Sequence, residues 1–105
     1  TPAALDGRPL ARTYYEIVGE AFREGSTEVG DEEVADLAVA IDDIIRGLAI
    51  VHWQDNIDVQ NRMRTEIEDK IFRFMADHGI QISFDTIDRI MDTCIEAARR
   101  RWGRE

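Results

Sequence analysis

One cysteine, two prolines and seven glycines are all that 105 residues contain of the types that most constrain a backbone. The lone thiol, Cys94, excludes an internal disulfide and fits a reducing compartment. Both prolines and most glycines sit near expected element ends, so long helices can run between them. No apolar run approaches the roughly 20 residues that a membrane span needs. The opening TPAALDGRPLAR carries no apolar core of the kind a secretory leader has. No membrane is therefore expected among the partners. Positive charge is also short: 13 Lys and Arg stand against 22 Asp and Glu, a formal charge of −9. A surface of that sign repels phosphate, which excludes non-specific nucleic-acid binding by the molecule as a whole. Missing too are a Gly-rich phosphate loop, a Walker pattern, a nucleophile elbow, an HExxH and a CxxC.

What is present is material for one packed domain over residues 1–105, with 44% hydrophobic and 33% charged residues. No repeat or low-complexity segment interrupts it. The chain opens on Thr1 rather than Met, and a fragment of a longer protein is expected. Acids dominate from Glu16 to Asp58, whereas the end, AARRRWGRE, is locally basic.

Four helical segments are expected. The first, about Leu10 to Glu24, places Tyr14, Tyr15, Val18, Ala21 and Phe22 on one side, and Gly25 closes it. Asp31 is read as the N-cap of the second, with Glu32 and Glu33 in the first turn. Its stripe of Val34, Leu37, Ala38, Ile41, Ile44, Ile45 and Leu48 follows helical spacing. The segment LAIVHW is too apolar for a solvated loop, so a buried irregular connector is expected around residues 48–55, with Ile50 and Trp53 plugging the bundle end. Asp55 or Asn56 caps the third helix, which carries Val59, Met63, Ile67, Ile71, Phe74 and Met75 and stops at Gly79. Ser83 caps the fourth, whose apolar face runs Phe84, Ile87, Ile90, Met91, Cys94, Ile95, Ala98 and Trp102 to an end at Gly103. No stretch alternates over strand length. The fold class is all-α, a small bundle of about four helices.

Several residues could carry chemistry, and each has a plainer reading. His52 and His78 lie 26 residues apart, which matches no metal-ligand spacing, so a connector His and a helix-end His are favoured. Asp42 and Asp43 point about 100° apart on a helix and make no dyad by themselves; a solvated face is favoured over metal ligation. Cys94 reads as a buried thiol, and Met63, Met75 and Met91 as core rather than as a ligand groove. Trp53 reads as core before partner anchor. Arg99, Arg100, Arg101 and Arg104 suit the negative end of a helix dipole; with Arg62 they could instead touch phosphate or an acidic partner.

The run from Gly30 to Gly79 has a further aspect. VGDEEVADLAVAIDDII is followed by IVHWQDNIDVQNRMRTEI and by FMADHGI. This resembles the C-terminal helical domain of type I restriction enzyme R subunits, the motor and nuclease subunits. The resemblance is carried by an acid-started helix leading to Trp53, then Val59, Met63 and Arg64, and His78–Gly79 closing the next helix. RTYYEIV suits the preceding helix, the place of His52 is often polar or acidic in the family, and the segment after Ser83 matches least. The resemblance implies a parent that is a site-specific deoxyribonuclease and couples ATP hydrolysis to duplex DNA translocation. Its ATP, Mg2+ and nuclease motifs lie upstream, so no catalytic, cofactor-binding or metal residue is expected in this chain. What remains is assembly: docking the motor onto the methyltransferase and specificity subunits in a bacterial or archaeal cytoplasm, with DNA reached through the parent complex. Two other readings stay open: duplex-DNA contact through Arg62, Arg99, Arg100, Arg101 and Arg104, and a small standalone enzyme built on His52 and Asp55.

Overall fold

Proline at the first position of a helix is preset for it, because its fixed φ is helical and its missing N–H would be unpaired there anyway. Pro9 takes that place in the computed structural model, which describes residues 1–102. Helix α1 spans Pro9–Glu24 and α2 spans Asp31–Leu48; α3 covers Ile57–His78 and α4 Phe84–Trp102. Short 3₁₀ turns, Ala3–Leu5 and Trp53–Asp55, precede α1 and α3. No strand occurs among the described residues, and no described helix is long and apolar enough to cross a membrane.

Local chemistry sets most of the helix ends. Asn56 caps α3: its Oδ1 accepts the backbone N–H of Asp58 at 3.1 Å and of Val59 at 3.2 Å. At the far end Gly79 adopts a left-handed φ of 62°, and Ile80 donates its N–H back to the Met75 carbonyl at 3.1 Å. That closure needs a residue without a Cβ penalty, and it turns Ile80 inward against the core. Ser83 opens α4, its hydroxyl accepting the Thr86 N–H at 3.1 Å. Two expected ends differ. Asp31 is the first helical residue of α2 and not its cap; Gly30 holds the cap position, and Asp31, Glu32 and Glu33 together load the positive end of the helix dipole. Gly25 does end α1, but with an ordinary φ of −85°; the left-handed step falls on Ser26 at 56°. The expected end of α4 at Gly103 lies outside the described residues.

The four helices form a ring in which each packs on its chain neighbours and α4 returns to α1. Successive helices run antiparallel, so the α1 start, the α2–α3 connector and the α4 end share one end of the bundle. The α1–α2 and α3–α4 turns share the other. The apolar stripes meet inside: Tyr14 and Val18 from α1, Ile41 and Ile45 from α2, Met63 and Ile67 from α3, Ile87 and Ile90 from α4 are all buried. Phe22 and Phe74 stack across the ring with centroids 6.1 Å apart. Leu5, in the 3₁₀ turn that precedes α1, and Ile82, just before α4, add to this core from outside the helices.

Candidate functional site

The α2–α3 junction is held from two helices. Trp53 is 1% exposed, and its ring meets Trp102 edge-on with centroids 6.1 Å apart. The backbone of the 3₁₀ turn supplies two accepting carbonyls, that of Trp53 also taking the Asn56 N–H at 2.9 Å. Gln60 of α3 donates Nε2 to the Gln54 carbonyl at 2.8 Å and to the Trp53 carbonyl at 3.3 Å. Arg99 of α4 donates Nε to the same Gln54 carbonyl at 3.0 Å. The irregular connector is thus clamped by one side chain from α3 and one from α4.

Its burial, however, is concentrated in Trp53. Ile50 and Val51 were expected inside; they are 59% and 82% exposed. The chain needs a left-handed residue to turn back over the bundle end, and His52 supplies it at φ 63°. That turn swings the indole in and throws the two preceding aliphatic side chains out. His52 itself is exposed and lines none of the main surface depressions, and Asp55 beside it is exposed too. His78 is exposed at the C-terminus of α3, its ring 4.3 Å from that of Phe74.

The pair at Asp42–Asp43 requires a correction. Asp43 faces solvent, but Asp42 is only 1% exposed. Two guanidinium groups explain how a carboxylate stays there: Arg8 reaches its Oδ2 at 3.1 Å from before α1, and Arg46 reaches the same oxygen at 3.3 Å from one turn along α2. Arg8 also holds Asp43 at 2.9 Å, and these two carboxylates raise the pKa of its guanidinium, Asp43 contributing most. The cluster fastens the turn before α1 to the end of α2. Tyr14 lies buried close by; desolvation pushes its phenol pKa up, with smaller contributions from Cys94 and Asp42. Burial alone pushes the Cys94 thiol up, so it is a poor nucleophile in the folded chain. Met63 and Met91 are buried core and Met75 lies at the core margin. Among the described residues no group of three His, Cys, Asp or Glu side chains could hold a metal ion.

The remaining residues singled out in the sequence have structural places. Val59 is half-buried at the first turn of α3. Arg64 crosses from α3 to α4, where it pairs with Asp92 and, at 3.9 Å, with Asp88. Arg62 pairs with Glu66 one turn along its own helix. Glu96 accepts from both Arg99 and Arg100, at 3.0 and 3.3 Å. Much of the basic charge of α4 is therefore engaged inside the fold. Arg101 is exposed beside Trp102, and Arg104 lies outside the described residues.

Phe84 was expected in the core and is 74% exposed. As the first residue of α4 it lies beyond the core edge, where it meets Phe72 of α3 edge-on at 6.4 Å. Ile57 is likewise a large apolar side chain at a helix start, 65% exposed at the first position of α3. No protein-family model, curated protein or solved structure matches this chain.

Proposed function

We propose that this chain works by holding other proteins: it is the C-terminal assembly domain of a type I restriction enzyme R subunit, docking the ATP-dependent translocase and endonuclease onto the methyltransferase and specificity subunits in the cytoplasm. The observation that carries docking is the exposure of large apolar side chains: Ile50, Val51 and Ile57 in a turn and a helix start at one end of the bundle, Phe84 at a helix start and Phe72 within α3 toward the other. Such side chains cost solvation until a partner covers them, and aromatic residues dominate the binding energy of protein interfaces. The parent assignment is supported by the resemblance of the Trp53, Val59, Met63, Arg64 and Gly79 pattern. Each of these residues has a packing, pairing or capping place that a family of related helical domains would share.

The test uses the intact subunit with and without residues 1–102. Loss of co-purification with the methyltransferase, with ATP hydrolysis by the motor retained, is the expected outcome. Normal assembly of the shortened subunit refutes the proposal.

A further inference from the structure

A groove runs between α3 and α4 along the outer face of the bundle. On α3 its wall is Ile57, Asn61, Arg64, Glu68 and Phe72, spaced i, i+4, i+7, i+11 and i+15, one face of a helix. On α4 it is Phe84, Asp88, Asp92, Ile95 and Arg99, with an equal span. The two stripes run antiparallel: Phe72 touches Phe84, Arg64 reaches Asp92, and Ile57 shares a depression of about 410 Å³ with Ile95 and Arg99. A second depression of about 250 Å³, between Glu68 and Asp88, shares Asn61 and Arg64 with the first. Met91 and Ile95, both buried, form the floor. From Ile57 to Phe72 is 15 residues, about 22 Å at 1.5 Å per residue or about four turns.

The ends of this groove are apolar and exposed, and its middle is acidic. Glu68, Asp88, Asp92 and Glu96 outnumber Arg64 and Arg99; the two arginines pair with Asp88, Asp92 and Glu96, and the walls keep an excess of negative charge. The surroundings add to the bias. Cut across the bundle, residues 17–39 and 68–93 carry 13 acidic and four basic side chains; residues 1–16, 40–67 and 94–102 carry eight of each. All of the net charge of −9 therefore sits in the half that contains Phe72 and Phe84.

We infer that the α3–α4 groove is the docking site for an amphipathic helix of a partner protein, apolar at two points about four turns apart and rich in lysine or arginine between them. Length selects a helix over a loop, because the two exposed apolar ends are separated by whole turns along one line. Charge selects a basic one, because a neutral or acidic helix would leave the central carboxylates facing either an apolar surface or like charge. This deepens the docking proposal and rests on it.

The probe is a synthetic helical peptide of about 18 residues, leucine at the two anchor points and lysine between, with a twin in which glutamate replaces lysine. Each is titrated into the isotope-labelled chain and followed by amide chemical shifts. The lysine peptide is expected to move the amides of Ile57, Arg64, Glu68, Phe72 and Phe84, and to bind more weakly as salt rises. Phe84→Ser, a change at an exposed position that leaves the core intact, is expected to weaken it about tenfold. Glu68→Lys combined with Asp88→Lys does so independently of the aromatic pair. Failure of the lysine peptide to bind, equal binding of its glutamate twin, or shifts confined to another face overturns the inference. So does self-association of the chain through the same residues, which would assign the groove to a second copy. Groove binding with unimpaired methyltransferase assembly by the Phe84→Ser subunit keeps the groove and removes the methyltransferase as its occupant. Loss of assembly on deleting the domain, without peptide binding, keeps the docking proposal and overturns the groove.

Discussion

Replacing Trp53 with alanine removes the largest fully buried side chain of the molecule. The indole is 1% exposed and packs edge-on against Trp102, so truncation opens a cavity at the end of the bundle. Truncating a buried aromatic residue costs about 3–5 kcal/mol. A domain of this size has about 5–15 kcal/mol to lose, and 1 kcal/mol moves its midpoint by about 4–8 °C. Trp53→Ala is thus expected to lower Tm by about 12 °C or more, and to leave a marginal fold. Trp53→Phe separates packing from polarity. Among the described residues the indole N–H meets no acceptor, so phenylalanine loses area and no hydrogen bond there; its cost is expected at about 1–2 kcal/mol. Trp102→Ala, at a half-buried position, belongs between the wild type and Trp53→Ala. Urea and thermal unfolding followed by far-UV circular dichroism measure all three. A Trp53→Ala cost below about 1 kcal/mol, within the range of surface changes, would show that the indole is not part of the core. A Trp53→Phe cost equal to that of alanine would show that the N–H has a partner on which the junction depends.

Asp42→Ala removes the shared carboxylate of Arg8 and Arg46. Both cations are partly exposed and can be resolvated, so the loss is expected at about 1–3 kcal/mol rather than the full cost of breaking a buried pair, with Asp43→Ala near zero; chemical denaturation of the two variants checks the contrast. Tyr14 and Cys94 both have pKa values raised by burial above their ordinary 10.0 and 9.0, so the folded state holds these protons longer than the unfolded one. Their contribution is complete below about pH 9 and is lost as pH climbs through the alkaline range, and Tyr14→Phe with Cys94→Ala is expected to flatten that fall in a stability–pH profile. Cys94 should react with a thiol reagent only at the rate of opening of the core, so a fast native-state reaction would contradict its burial. Gly79→Ala has open space for the added methyl, so its cost of about 1 kcal/mol is purely that of a left-handed φ, and unfolding measurements should find Asn56→Ala similar through the lost cap.

The parts of the fold that could be read in advance have local causes. Asn56, Gly79 and Ser83 act on backbone groups within three or four residues, so their positions mark the ends of α3 and the start of α4 from sequence alone. The stripes of α2, α3 and α4 are likewise periodic, and their central members are buried. Periodicity says nothing about where a bundle stops. Phe84 continues the apolar pattern of its helix yet is its first residue, past the last layer of facing side chains, and Ile57, first in α3, lies off the stripe of its own helix. Ile50 and Val51 look internal by composition, and only the left-handed turn at His52 decides otherwise. Asp42 was hidden for the opposite reason. Its burial depends on Arg8, which lies 34 residues away in sequence, and no helical rule connects the two. Arg99 had a surface reading as one of several cations near a helix end; its role in holding the Gln54 carbonyl exists only once α4 returns to the α2–α3 junction. Phe84, which periodicity misplaced, is also what lines one end of the α3–α4 groove.

The charge distribution gives that groove a direction. Neighbouring helices run antiparallel, so the dipoles of α3 and α4 oppose one another and contribute little net field along it. The gradient must come from side chains. Toward Ile57, Arg64 and Arg99 stand with Glu96 in the half of the bundle that is neutral, and Arg64 reaches Asp92 at the edge of the acidic half. Toward Phe72 and Phe84 the walls are Glu68 and Asp88, within the half that holds the entire excess of acid. A partner helix with its cations clustered near one end would therefore seat that end against the two phenylalanines, where a lysine or arginine stem can lie along an aromatic face while its head meets a carboxylate. Its other end, held by Ile57 over the buried Ile95, needs only an aliphatic residue. Reversal of the helix would place its cations beside Arg64 and Arg99 and its bare apolar end among carboxylates. The same arrangement that concentrates the acid of this chain at one end thus selects one of two orientations for whatever lies along it.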